Sequence, residues 1–132
     1  MERIHIAAEA ERQMGFAAAV RVDGQLHVSG VVSWNENFEP LHGGDMRAQM
    51  DEVYSRIATF LQSMGSGLGS IIHETVFVTD IEAALACLDA RNSKFETDRL
   101  PAATMVEVRR LVHPDLMIEV QCTAQVDSAR EI

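Results

Sequence analysis

Cysteine, proline, positive charge and long apolar runs are all scarce in this chain of 132 residues. Its two cysteines, Cys87 and Cys122, lack metal-ligand spacing and make no disulfide framework of the kind that staples small secreted domains. With only three prolines and 47% hydrophobic residues, the composition is that of an ordinary globular chain rather than a disordered one. No apolar run reaches the roughly eighteen residues that a membrane-spanning helix needs. Met1-Glu2-Arg3-Ile4-His5 does not lead into the apolar core of a signal peptide, so a cytosolic protein is expected. The five histidines, His5, His27, His42, His73 and His113, include no pair at the i, i+4 spacing of a helical metal site. No metal or other cofactor is called for. Eleven basic residues face twenty acidic ones, a net charge of −9 that repels phosphate backbones, so nucleic acid is not expected as a partner. The adjacent basic pair Arg109-Arg110 reads as a solvated strand edge.

What is present patterns clearly. Val20-Arg21-Val22, Asp23-Gly24 and Gln25-Leu26-His27-Val28 predict a hairpin, with glycine taking the positive φ of a two-residue turn. Val20, Val22, Leu26, Val28 and Val32 are expected on one face. Gly30, inside the second strand, marks a bulge or a close approach. Ser33 to Gly44 reads as a loop that carries the single tryptophan, Trp34. Asp45 is placed to cap a helix over Met46–Met64, where Met50, Val53, Tyr54, Ile57, Phe60, Leu61 and Met64 recur at steps of three and four, and Gly65 stops it. Ile71 to Thr79 predicts a strand. A second helix opens at Thr79-Asp80, with Ile81, Leu85, Leu88 and Phe95 as its apolar stripe. Thr104 to Arg109 forms a short strand. From Leu116 to about Val126, Ile118, Val120, Cys122, Ala124 and Val126 alternate with Met117, Glu119, Gln121, Thr123 and Gln125. A strand with one apolar and one polar face lies between a core and something wet. The expected order is β-β-α-β-α-β-β, an α+β fold in one domain over residues 1–132, with helices on one face of a mixed, mainly antiparallel sheet.

Four segments in the same order resemble one family. They are His27-Val28-Ser29-Gly30, Met64-Gly65-Ser66-Gly67-Leu68 with Ile71 to Asp80, Leu100-Pro101-Ala102-Ala103-Thr104, and Met117-Ile118-Glu119-Val120. Over about residues 14 to 126 the chain resembles the Rid (reactive intermediate deaminase, YjgF-type, L-PSP endoribonuclease-like) proteins. The resemblance implies a chorismate mutase-like fold, a homotrimer, and small-molecule pockets at the subunit interfaces. Such proteins hydrolyse imines and enamines to a ketoacid and ammonia. Position by position, the glutamate that positions the attacking water falls on Glu119, the serine and glycine of the pocket on Ser29 and Gly30, the closing tyrosine on Phe16, and a donating backbone N–H on Met105. Trp34 belongs to the loop beside the pocket and is free to stack on a ligand or to pack at an interface. The family's carboxylate-gripping arginine falls on Ala103. Without that fork, a substrate carboxylate would lose its bidentate partner, and Arg99, Arg109 and Arg110 are the candidates to replace it.

Three functions follow. The first is a hydrolytic deaminase of imines or enamines whose preference is altered from 2-iminopropanoate. The second is a non-catalytic protein that binds a small metabolite. The third, endoribonuclease action, is disfavoured by the acidic charge.

Overall fold

A computed structural model describes residues 1–126. Strand β1 (Glu2–Ile4) leads into helix α1 (Ala8–Met14), and the hairpin β2 (Ala19–Val22) and β3 (Gln25–Val32) follows. Helix α2 (Met46–Ser63), a 3₁₀ turn (Leu68–Ser70) and β4 (Ile71–Val78) come next. Two short helices, α3 (Ile81–Ala86) and α4 (Leu88–Asn92), then β5 (Ala102–Glu107) and β6 (Ile118–Gln125), complete the described chain. The strands form one sheet in the order β1-β2-β3-β6-β4-β5, with β4 and β5 parallel and every other pair antiparallel. No helix among the described residues is long and apolar enough to cross a membrane.

The local signals explain α2. The Asp45 side chain accepts from the Ala48 N–H, satisfying one orphan donor of the first turn. Gly65, at φ 74°, turns the chain away after the last turn. Met50, Val53, Tyr54, Ile57 and Leu61 are fully buried, and they hold the helix on the sheet. Asp80 caps α3 in the same way, accepting from the Ala83 N–H. The expected single second helix is broken at Cys87, however, and Leu85 is 49% exposed. The buried residues there are Ala84, Ala90 and Phe95.

The hairpin corrects another expectation. Val22 pairs with Gln25, so Arg21 lies opposite Leu26 and Ala19 opposite Val28. Directly opposed residues share a face. Ala19 therefore joins Leu26 and Val28 on the core side, whereas Val20 and Val22 lie on the other side with His27 and Gln25. The left-handed residue of the turn is Asp23, at φ 53°, rather than Gly24. A register shift between Val28 and Val31 marks the bulge expected at Gly30. Beyond it Val31 opposes Val120, and Val32 opposes Glu119 across the sheet.

On β6 the alternation holds: Ile118, Val120, Cys122 and Ala124 are buried, and Gln121 and Gln125 are exposed. The helices pack over the apolar face. The other face carries Glu119, Gln121, Thr123, Thr75 and Phe77.

Candidate active site

The site is built around the bulge in β3. One extra residue there lets Ser29 and Gly30 stand against a single position of β6. The Ser29 hydroxyl donates to the Ala17 carbonyl at 2.6 Å, and its N–H donates to the Ala18 carbonyl at 2.9 Å. These bonds fix the segment carrying Phe16 beside the bulge. Gly30 has a steric task. A Cβ on it would lie 1.9 Å from Oε2 of Glu119 and 2.7 Å from its Cδ. The missing side chain is the room that the Glu119 carboxylate occupies. Val32 and Phe77 flank Glu119 in the sheet register. Burial there pushes the Glu119 carboxyl up from its ordinary value.

A cavity of about 410 Å³ opens beside the bulge. Phe16, Ser29, Gly30 and Trp34 line it together. Glu119 is not among its lining residues; it lies against Gly30, on the open face of the sheet. Ala103 and Met105 are elsewhere, on β5, with β6 and β4 between them and β3. Three strand spacings separate those residues from the bulge by roughly 14 Å. Met105 packs on the core, and Ala103 is exposed beside the register position of Glu74. A single chain does not bring all seven positions together. Arg99, Arg109 and Arg110 are exposed and line no part of the cavity.

The cation that does line it is Arg56, on α2. Its Nη1 donates to the Val32 carbonyl at 2.7 Å and to the Trp34 carbonyl at 2.6 Å. It thereby ties the end of β3 and the following loop to the helix. Burial lowers its pKa, and Glu52 one turn earlier opposes that shift. In the sequence Arg56 falls on the polar flank of an amphipathic helix, where nothing separates a solvated arginine from an inserted one.

The N-terminal wall was equally hidden. Ile6, Ala7 and Glu11 line the cavity. Glu11 is 5% exposed, with Oε1 at 2.7 Å from Nδ1 of His5. Its Oε2 accepts from the Ala7 N–H at 3.0 Å. Burial pushes the Glu11 carboxyl up, but the hydrogen bonds from Ala7, His5 and Ile6 outweigh it and leave the group below its ordinary value. The loop contributes Trp34 and Phe38, whose ring centroids are 4.7 Å apart. Among the described residues no group of three His, Cys, Asp or Glu side chains is arranged to hold a metal ion.

Chemically, the arrangement offers a half-buried carboxylate with raised proton affinity, packed against Gly30 on the open face of the sheet, and an aromatic-walled cavity that Gly30 lines. That combination can hold a water and exchange a proton with a bound molecule.

The family model for Endoribonuclease L-PSP matches residues 7–126. Among curated proteins, a 3-aminoacrylate deaminase RutC of Acinetobacter baylyi is 29% identical over 111 residues, which cover 84% of this chain and 86% of that protein. A RutC family protein of Synechocystis is 27% identical over 119 residues, 89% of this chain and 91% of that one. Among solved structures, a YjgF/YER057c/UK114 family member of Mycobacterium tuberculosis superposes with a TM-score of 0.78 at 26% identity, covering 95% of this chain and 98% of the other.

Proposed function

The chain belongs to the endoribonuclease L-PSP family, and from that membership we propose that it is a deaminase that hydrolyses reactive imines or enamines. The observation that carries this reading is the Glu119 carboxylate held in the space left by Gly30, a residue that itself lines the cavity. In the reaction, water adds to the imine carbon while Glu119 takes its proton. The proton is then returned to the carbinolamine nitrogen, the C–N bond breaks as the hydroxyl gives up its proton, and a carbonyl compound and ammonia leave. A carboxylate whose proton affinity is raised by burial suits both transfers. Phe16, Trp34 and the backbone of Ser29 and Gly30 hold the substrate. The likeness to a 3-aminoacrylate deaminase supports the reaction class.

The working unit in this proposal is a homotrimer with its pockets between subunits. The sheet has its helices on one face, and its edge strand β5 leaves Ala102, Ala103, Thr104, Val106 and Glu107 exposed. Packing that edge against a second copy would bring Met105 and Ala103 toward the bulge of a neighbour. At Ala103 no guanidinium is available for a substrate carboxylate, which supports a preference altered from 2-iminopropanoate. The same residue motivates a second reading, a trimer that binds a metabolite without turning it over. Endoribonuclease action is disfavoured by the net charge of −9.

The test is ammonia release by the purified protein, mixed with oxidases that generate imines from a panel of amino acids and of amines. The expected outcome is release above the uncatalysed rate for at least one imine, falling as the pH drops through the raised pKa of Glu119. Unaccelerated release across the whole panel, with binding of the same compounds retained, would turn the assignment to the metabolite-binding reading.

A further inference from the structure

Resting on the imine-hydrolysing reading, we propose that the cavity selects a carboxylate-free, positively charged substrate: a protonated imine carried on an aromatic or bulky apolar body. Its charge lining is one-sided. Glu11, Glu36 and Glu52 line the cavity, against Arg56 alone, and of these the Glu11 carboxylate is already bonded by His5 and by the N–H groups of Ile6 and Ala7. Arg56 is moreover engaged by two main-chain carbonyls, through the single nitrogen that bonds both Val32 and Trp34. Glu36 makes no ion pair among the described residues, and Glu52 has only a 3.4 Å contact with Nε2 of His42. An incoming carboxylate therefore meets an excess of like charge, and an incoming cation meets an excess of opposite charge.

The walls point the same way. Phe16, Trp34, Phe38 and Phe60 bring four aromatic rings to one cavity of about 410 Å³, in a chain with only 5% aromatic residues. Ring faces attract cations and bury apolar bodies. The volume accommodates a ring together with the reacting carbon and nitrogen. The reacting end is placed at Gly30, the lining residue against which Glu119 packs, Glu119 itself being outside the lining. Substrates of this kind come from oxidation of primary amines, which leaves an imine with no carboxylate attached.

Trp34 is the single tryptophan, so its fluorescence reports occupancy of the cavity directly. The full chain is titrated with 2-phenylethylammonium and with 3-phenylpropanoate, two probes of similar shape and opposite charge. The ammonium is expected to bind at least about tenfold more tightly, and the preference is expected to collapse in a Glu36→Gln/Glu52→Gln variant whose circular dichroism matches the parent. Equal binding, tighter binding of the carboxylate, or no quenching by either probe would overturn the proposal. So would an undiminished preference in the variant. The readout is independent of turnover. A cation preference without ammonia release from any imine sinks the deaminase reading and leaves the selectivity standing. Ammonia release with a carboxylate preference does the reverse.

Discussion

Replacing Glu119 with glutamine is expected to reduce imine hydrolysis by about a hundredfold or more, the range that a positioned acid–base group contributes. Glutamine keeps the shape of the side chain against Gly30 and removes the proton exchange. The substitution is not expected to unfold the protein. Burial raises the Glu119 carboxyl in the folded state, so folding favours its protonated form. By linkage, a group with a raised folded pKa is more favourable to folding below its unfolded pKa. That advantage is lost as the pH rises through the folded value. Above that value the ionised carboxylate is thus a cost, and the neutral amide removes it. Denaturation midpoints of the variant at pH 7 should equal or exceed those of the parent, while the steady-state rate collapses. A collapse in both would assign Glu119 a structural task instead.

The largest expected effect on stability lies away from the cavity. Glu74 is fully buried on β4, and Arg91 of α4 donates to its Oε1 from Nε at 3.1 Å and from Nη2. Tyr54 donates to the other oxygen at 2.9 Å. The guanidinium also lies 4.5 Å from the centroid of the Phe95 ring. Arg91→Ala would leave a carboxylate in the core without its cation, which costs about 3–5 kcal/mol. Removing both charges is different, because an apolar pair of similar volume often matches a buried ion pair. The Arg91→Met/Glu74→Leu double variant should therefore recover most of the loss, although Tyr54 then lacks its acceptor. Urea denaturation of the parent, the single and the double variants checks this. A single variant within about 1 kcal/mol of the parent would mean that water or another group satisfies Glu74.

Much of the scaffold was legible because it obeys local rules. Asp45 and Asp80 read as caps and are caps. The stripe of α2 reads as a buried face, and the period of two on β6 separates core from open face without error from Ile118 to Gln125. What failed depends on contacts that a local pattern does not encode. A two-residue turn reverses which parity of residue faces the core, so Val20 and Val22 read as sharing a face with Leu26 and lie on the other one. Helix α1 has no apolar stripe, since the residue it buries is Glu11, held by His5 and by the N–H groups of Ile6 and Ala7. Glu74 and Arg91 are polar residues at positions that only tertiary pairing turns inward.

The site divides along the same line. Gly30 and Glu119 stand 89 positions apart in sequence, yet the antiparallel pairing of β3 with β6 sets them side by side. Phe16, Ser29 and Trp34 come with the bulge and meet at one cavity. Arg56 was missed because its role is to bind carbonyls of a distant segment, for which an amphipathic helix carries no mark.

The central claim is that Gly30 is small so that Glu119 can work. It is tested most directly by measuring ammonia release from an imine turned over by the parent, with Gly30→Ala beside it. The added methyl must displace the carboxylate that sits 1.9 Å from its position. The rate is predicted to fall at least about tenfold, with the far-ultraviolet circular dichroism and oligomeric state unchanged. A Gly30→Ala protein that keeps the full parental rate would contradict the account.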